Sequence, residues 1–231
     1  MADIGVTGIC GSGIIEVVAE LYLAGVITAD GVIDGSLASR TARVVPDGRT
    51  HAYVLVTQAP DSRELRVTQG DVRAIQLAKA ALYAGVRLLM DQMRVEQVDR
   101  IRLAGAFGSH VDVKYAMVLG MVPDCALEHV TSAGNAAGTG ARIALLDRKS
   151  RPEIEAVVRR IHKVETAVEP RFQAHFVEAM AIPHKTASYP RLSEAVDWPA
   201  QRVTNGEGGP TGAAGSAAPR RRRRRRVAGA S

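Results

Sequence analysis

Twice in succession this chain runs a short apolar stretch into a glycine turn and on into a helical pattern. Ile101 to Ala104 enters Gly105 to Gly108 and a helix from Val113 to Gly120; Glu128 to Thr131 enters Gly134 to Gly140 and a helix ending at Leu146. A buried strand that turns through glycine into a helix folds that helix back onto its sheet, so the repetition predicts α/β layering. Upstream, Arg43 to Val45 and Ala52 to Val56 are β-branched runs joined by Pro46, Asp47 and Gly48, which predicts either a hairpin or strands bracketing a loop, the only antiparallel element read here. Thr68 with Asp71 resembles a capping box and opens the longest helical pattern, to about Met93, with Val72, Ile75, Leu82, Val86, Leu89 and Met93 on one stripe. Gly8 to Gly13 leads into a helix from Ile14 to Ala24, closed by Gly25, and further helices are expected over Arg151 to Ile161 and Arg171 to Met180.

Composition narrows the class. With 231 residues, 46% of them hydrophobic, the chain is neither collagenous nor wholly disordered. The net charge of +6 rests on Arg220 to Arg226, seven of the 30 basic residues; without them 23 bases face 24 acids. The basic balance therefore belongs to a tail, Ala200 to Ser231, rich in Gly, Ala, Thr, Pro and Arg, which is expected to be disordered. That tail either binds polyanions by neutralising phosphates or is a passive solvated segment. Cys10 and Cys125 are too few for a disulfide framework, a four-thiolate zinc site or an iron–sulfur cluster held by this chain. No basic leader is present and no run approaches the ~20 apolar residues of a membrane span, so a soluble cytoplasmic protein is expected.

Three glycine turns stand before helices, where free N–H groups and a positive dipole end favour phosphate. Each alone is equally well explained by a tight connection or close packing. Gly8 and Gly13 have the spacing of a Walker A loop, but Ile14 and Ile15 stand where it needs Lys and Ser or Thr. Asp3, Gly5 and Thr7 are only a faint match to an acidic phosphate loop, and Gly134 to Gly140 departs from the dinucleotide fingerprint. Lys79, on the long helix, reads either as a nucleotide contact or as a lysine snorkelling from the stripe's edge. His110 and Asp112 follow the first strand-borne turn and read either as an acid–base pair or, respectively, as a solvated loop residue and a helix cap. No self-contained catalytic constellation emerges.

Five segments taken together resemble one family. Gly8 to Ile15, Thr68 to Arg73 with Gln76 to Ala81, Leu103 to Gly108, Gly134 to Gly138 and Phe176 to Met180 are similar, in the same order, to the C-terminal part of the reductive activators of corrinoid proteins. Those are ATP-dependent metalloproteins with an N-terminal [2Fe–2S] ferredoxin domain and a C-terminal domain of the actin, sugar-kinase and heat-shock chaperone ATPase superfamily. The resemblance covers roughly Gly5 to Pro199. It implies a ribonuclease-H-like α/β domain with a mixed sheet flanked by helices over residues 1–199. It also implies ATP with magnesium as cofactor, a corrinoid protein as partner, and reduction of cob(II) to cob(I) for methyl transfer.

By position, the resemblance implies adenosine contacts at Gly105, Ala106, Phe107 and Gly108, with Gly11, Ser12, Gly13 and Lys79 as further nucleotide-site residues. The ferredoxin domain and the first ATPase lobe fall outside it. The expectation is therefore a truncated segment, not competent alone, that associates with a copy of itself or with the missing half. The alternative is a standalone interaction module with a polyanion-binding arginine tail.

Overall fold

Local capping sets the helix starts. The computed structural model describes residues 6–57, 64–105 and 107–199; Asp3, Gly5, Ala106 and the tail from Ala200 lie outside them. Helix α1 (Gly11–Leu23) begins at Cys10, whose thiol accepts the Gly13 N–H, and ends before Gly25, at φ +69°. Gly11 and Gly13, expected in a turn ahead of the helix, thus lie in its first turn, and Gly8 precedes it. Helix α2 (Gln69–Met93) opens on the predicted capping box: the Asp71 N–H donates to Thr68 Oγ1 at 3.2 Å, and the Thr68 N–H donates to Asp71 Oδ2 at 2.8 Å. Helix α3 (Val113–Val118) is capped by Asp112, as its sequence suggested, which accepts from the Lys114 and Tyr115 N–H groups.

The predicted hairpin is present as β1 (Val44–Asp47) and β2 (Thr50–Val56), paired antiparallel. A third antiparallel strand, β3 (Leu65–Thr68), completes the sheet in the order β1-β2-β3. It was not anticipated because it is four residues long, runs directly into α2 and buries only Val67. Strands β4 (Ile101–Ala104) and β5 (Val130–Gly134) form a parallel pair. After α1 the chain order is three antiparallel strands, helix, parallel strand, helix, parallel strand, helix; in place of the one mixed sheet expected, the described strands form two sheets, because the antiparallel strands hydrogen-bond among themselves and β4 pairs with β5. The second apolar run forms a single 3-10 turn, Leu127–His129, before β5 begins. Helices α4 (Ala136–Leu146), α5 (Ser150–Val158) and α6 (Phe172–Glu178) follow.

The core joins α1, α2 and α3 to the antiparallel sheet and to the segment after α6, with Val18, Val72, Met117, Leu119 and Leu192 wholly removed from solvent. Each such aliphatic chain contributes about 1.5–3 kcal/mol relative to exposure. One expectation is overturned here. Half of the stripe chosen on α2 is outward: Leu82, Leu89 and Met93 are 46%, 51% and 74% exposed, while Ile75 and Val86 are half-buried and Val72 is buried as expected. Besides Val72, the buried residues of α2 are Gln76, Lys79, Ala80, Tyr83, Ala84, Leu88 and Met90. Small residues let α2 approach its neighbours, and two polar side chains lie inward because carbonyl partners meet them there.

Candidate functional site

In the parallel pair, Ile101 faces Val130, Leu103 faces Ser132 and Ala104 faces Gly134. The Gly105 N–H then donates to Gly134 O at 2.8 Å, so both glycine turns leave the carboxyl ends of adjacent strands side by side. That end of a parallel sheet is where α/β folds receive ligands. Gly105 has φ +110° and Gly134 has φ +61°, and a Cβ on either would meet nothing within 4 Å. Backbone conformation, not crowding, requires glycine at both, and the backbone lies open to an approaching group. Gly108 differs: its Cβ would stand 3.2 Å from Leu103 Cβ, so this glycine lets the turn pack on β4.

Each turn is braced from within. Ser109 Oγ donates to Gly105 O at 3.0 Å, and Ser132 Oγ accepts the Gly134 N–H at 3.1 Å. Asn135 caps α4, its Oδ1 accepting the Gly138 N–H at 2.9 Å. The positive end of α4 therefore stands beside the first turn, with polar and backbone groups suited to a neutral or anionic ligand. Phe107 begins the one-turn 3-10 helix Phe107–Ser109 that follows Gly105, and Ala106 lies outside the described residues.

The other residues implied by the resemblance lie on α1 and α2. Gly11, Ser12 and Gly13 form the first turn of α1, Gly11 exposed and the other two half-buried, where Cys10 Sγ lies 3.4 Å from Ser12 Oγ. Hydrogen bonds from Ser12 and the Gly13 N–H hold the Cys10 thiol below its ordinary pKa. A Cβ on Gly13 would lie 3.1 Å from Ile9 Cγ2, a tight fit that favours glycine. Helix α1 packs on α3, which follows the first strand-borne turn, and the Tyr115 hydroxyl of α3 donates to Glu20 of α1.

Lys79 does not snorkel. It is 1% exposed, and its Nζ donates to the carbonyls of Ala181 and of Pro183, the latter at 2.7 Å. One turn earlier, Gln76 Nε2 donates to Met180 O at 2.8 Å and Asp30 O at 3.0 Å. Together they hold the strap from Met180 to His184 against α2. Burial lowers the Lys79 pKa to about 7. The ammonium's hydrogen-bond partners are the strap's carbonyls, and none belongs to the glycine turns.

The contribution of Gly134, Asn135 and Gly138 was not among the expected contacts. Their signal was present, the same strand, glycine and helix pattern as at Gly105, but only the parallel register makes the two turns neighbours.

Comparison with known proteins accords with this geometry. A family model described as the C-terminal domain of RACo, the ASKHA domain, matches residues 1–193. The corrinoid activation enzyme RamQ of Eubacterium limosum is 35% identical over 174 residues, covering 71% of this chain and 29% of that protein. A solved structure of a reductive activator for corrinoid, iron-sulfur protein aligns with a TM-score of 0.68 at 33% identity, over 77% of this chain and 28% of its own. The chain thus spans under a third of the length of the relatives it matches.

Proposed function

This chain belongs to the family of C-terminal ASKHA domains of RACo, and from that premise we propose that it supplies the adenosine-binding side of an ATP-dependent reductive activator of corrinoid proteins. The observation that carries this reading is the pairing of two glycine turns at the carboxyl ends of β4 and β5, joined by the Gly105 to Gly134 hydrogen bond. Open backbone at Gly105 and Gly134 and the capped start of α4 suit the close approach of a nucleoside. Residues 1–199 are read as the domain, with Gly105 and Gly108 forming one wall of the adenosine seat and Gly134 to Gly138 the other. Phe107 belongs to the turn that follows Gly105. Gly11 to Gly13 and Lys79 act through structure: the first starts α1, and the second anchors the strap.

When bound, the nucleotide supplies the free energy that drives a low-potential electron onto a corrinoid cobalt. The two cysteines of this chain are fewer than the four thiolates of a ferredoxin cluster, so the electron comes from another polypeptide segment. The corrinoid protein is the partner that receives it, and methyl transfer is the use to which it is put.

Equilibrium dialysis of Mg-ATP against the folded chain tests the nucleotide reading. Saturable one-to-one binding, weakened by Gly105→Val or Gly108→Val with the circular dichroism unchanged, is the expected result. Failure of the folded chain to bind would remove it.

A further inference from the structure

Away from the glycine turns, α2 and α6 pack together and leave between them, beside the strap, a cavity of about 290 Å³. Opposite charges line it. Arg87 comes from α2, one turn beyond Tyr83, and Glu178 from α6, three residues beyond His175. At the Arg87 end, Asp91 is met by Arg87 Nε at 3.1 Å, by His175 Nε2 at 2.9 Å and by Arg171 Nη1 at 2.9 Å. One carboxylate shared among three donors cannot use all five N–H groups of a guanidinium, so Arg87 keeps donors to spare. On α6, Glu178 Oε2 accepts the Thr186 hydroxyl at 3.2 Å, and its second oxygen has no hydrogen-bond partner among the described residues. Arg87 and Glu178 line the same space yet form no ion pair with each other among those residues.

His184 supplies a third polar group, whose protonation follows from its hydrogen bonds. Its Nδ1 accepts the Ala187 N–H at 2.9 Å and the Thr186 N–H at 3.2 Å, which leaves the ring proton on Nε2. The ring packs on Tyr83 with centroids 4.7 Å apart. Burial and the nearby Lys79 ammonium push its pKa down to about 4, so it stays neutral. A neutral imidazole with Nδ1 so engaged is a fixed N–H donor and a poor metal ligand.

A cation and an anion that line one cavity without pairing with each other leave their field in it. A simple anion entering there is attracted by Arg87 and repelled by Glu178; a simple cation meets the reverse. A molecule carrying both charges satisfies both groups. We propose that this cavity binds a free α-amino acid, with its carboxylate on Arg87 and the His184 Nε2–H and its ammonium on Glu178. The site is separate from the glycine turns, and the proposal stands independently of nucleotide binding.

Isothermal titration of the full chain near neutral pH tests it, using a panel of L-α-amino acids with acetate and methylammonium as half-ligands. At least one amino acid is expected to bind about tenfold or more tightly than either half-ligand. Glu178→Gln should reduce that affinity to the level of acetate while leaving acetate binding unchanged, and Arg87→Gln should abolish both. Glu178→Gln leaves the Asp91 cluster intact, so it keeps the test sound if Arg87→Gln fails to fold. Half-ligands that bind as tightly as every amino acid, an amino-acid affinity unmoved by Glu178→Gln, or no binding to the folded chain would each overturn the proposal.

Discussion

Replacing Lys79 with methionine should change how stability depends on pH more than it changes stability at neutral pH. The wild-type ammonium is held at a pKa of about 7 against 10.5 for an unhindered lysine, with burial as the cause. The unfolded chain therefore binds more protons than the folded one between those values, and folding is favoured as pH rises through the window. The gain is about 1.4 kcal/mol per pH unit, a total on the order of 5 kcal/mol, complete above the unfolded pKa and absent below the folded one. Methionine has a similar length and no charge. It removes the cost of burying the ammonium, but it leaves the carbonyls of Ala181 and Pro183 without their donor, at about 1–3 kcal/mol each.

Near pH 7 these two effects of Lys79→Met largely cancel. Toward pH 10 only the loss remains. Urea unfolding followed by far-ultraviolet circular dichroism, at intervals from pH 7 to 10.5, measures the difference between the two proteins. The wild type should gain on the variant steadily across that range. Parallel stability curves would show that the buried ammonium does not titrate there, and the reasoning would fail.

Two further predictions concern single contacts. Gly120 has φ +73°, and a Cβ there would collide with Pro183 O, whereas Gly25, at φ +69°, has open space; Gly120→Ala should cost about 2–5 kcal/mol and Gly25→Ala about 1–2 kcal/mol, read from urea midpoints. The Tyr115 phenol is pushed up to about 12, chiefly by its hydrogen bond to Glu20, so the stability it contributes is present below its ordinary value of 10 and lost as pH rises toward 12. Glu20→Gln should return its titration, followed by NMR of the ring, toward 10; a midpoint unmoved by that change would refute the assigned cause.

Much of the fold was legible because its signals are local. The Thr68 and Asp71 box, the Asp112 cap and the Gly25 terminator each satisfy or free backbone groups within a few residues, so the chain carries them irrespective of its surroundings. The inward face of α2 was not legible. Leu82, Leu89 and Met93 are the more apolar choice, yet Gln76 and Lys79 are the buried ones, because acceptors more than a hundred residues away on the strap reach them. Periodicity reports hydrophobicity along one helix and contains nothing about partners supplied by a later segment.

The candidate site divides the same way. That Gly105 and Gly134 each end a strand and precede a helix is written in the order of residues, since glycine alone adopts those φ angles without strain. That the two turns form one site depends on the parallel register of β4 and β5, set by hydrogen bonds between strands whose pairing residues stand some 30 positions apart. The charges of Arg87 and Glu178 are likewise visible in the chain, but their standing across one cavity is not. Local sequence determined which backbone shapes and charges exist; only the packing of distant segments decided which of them meet.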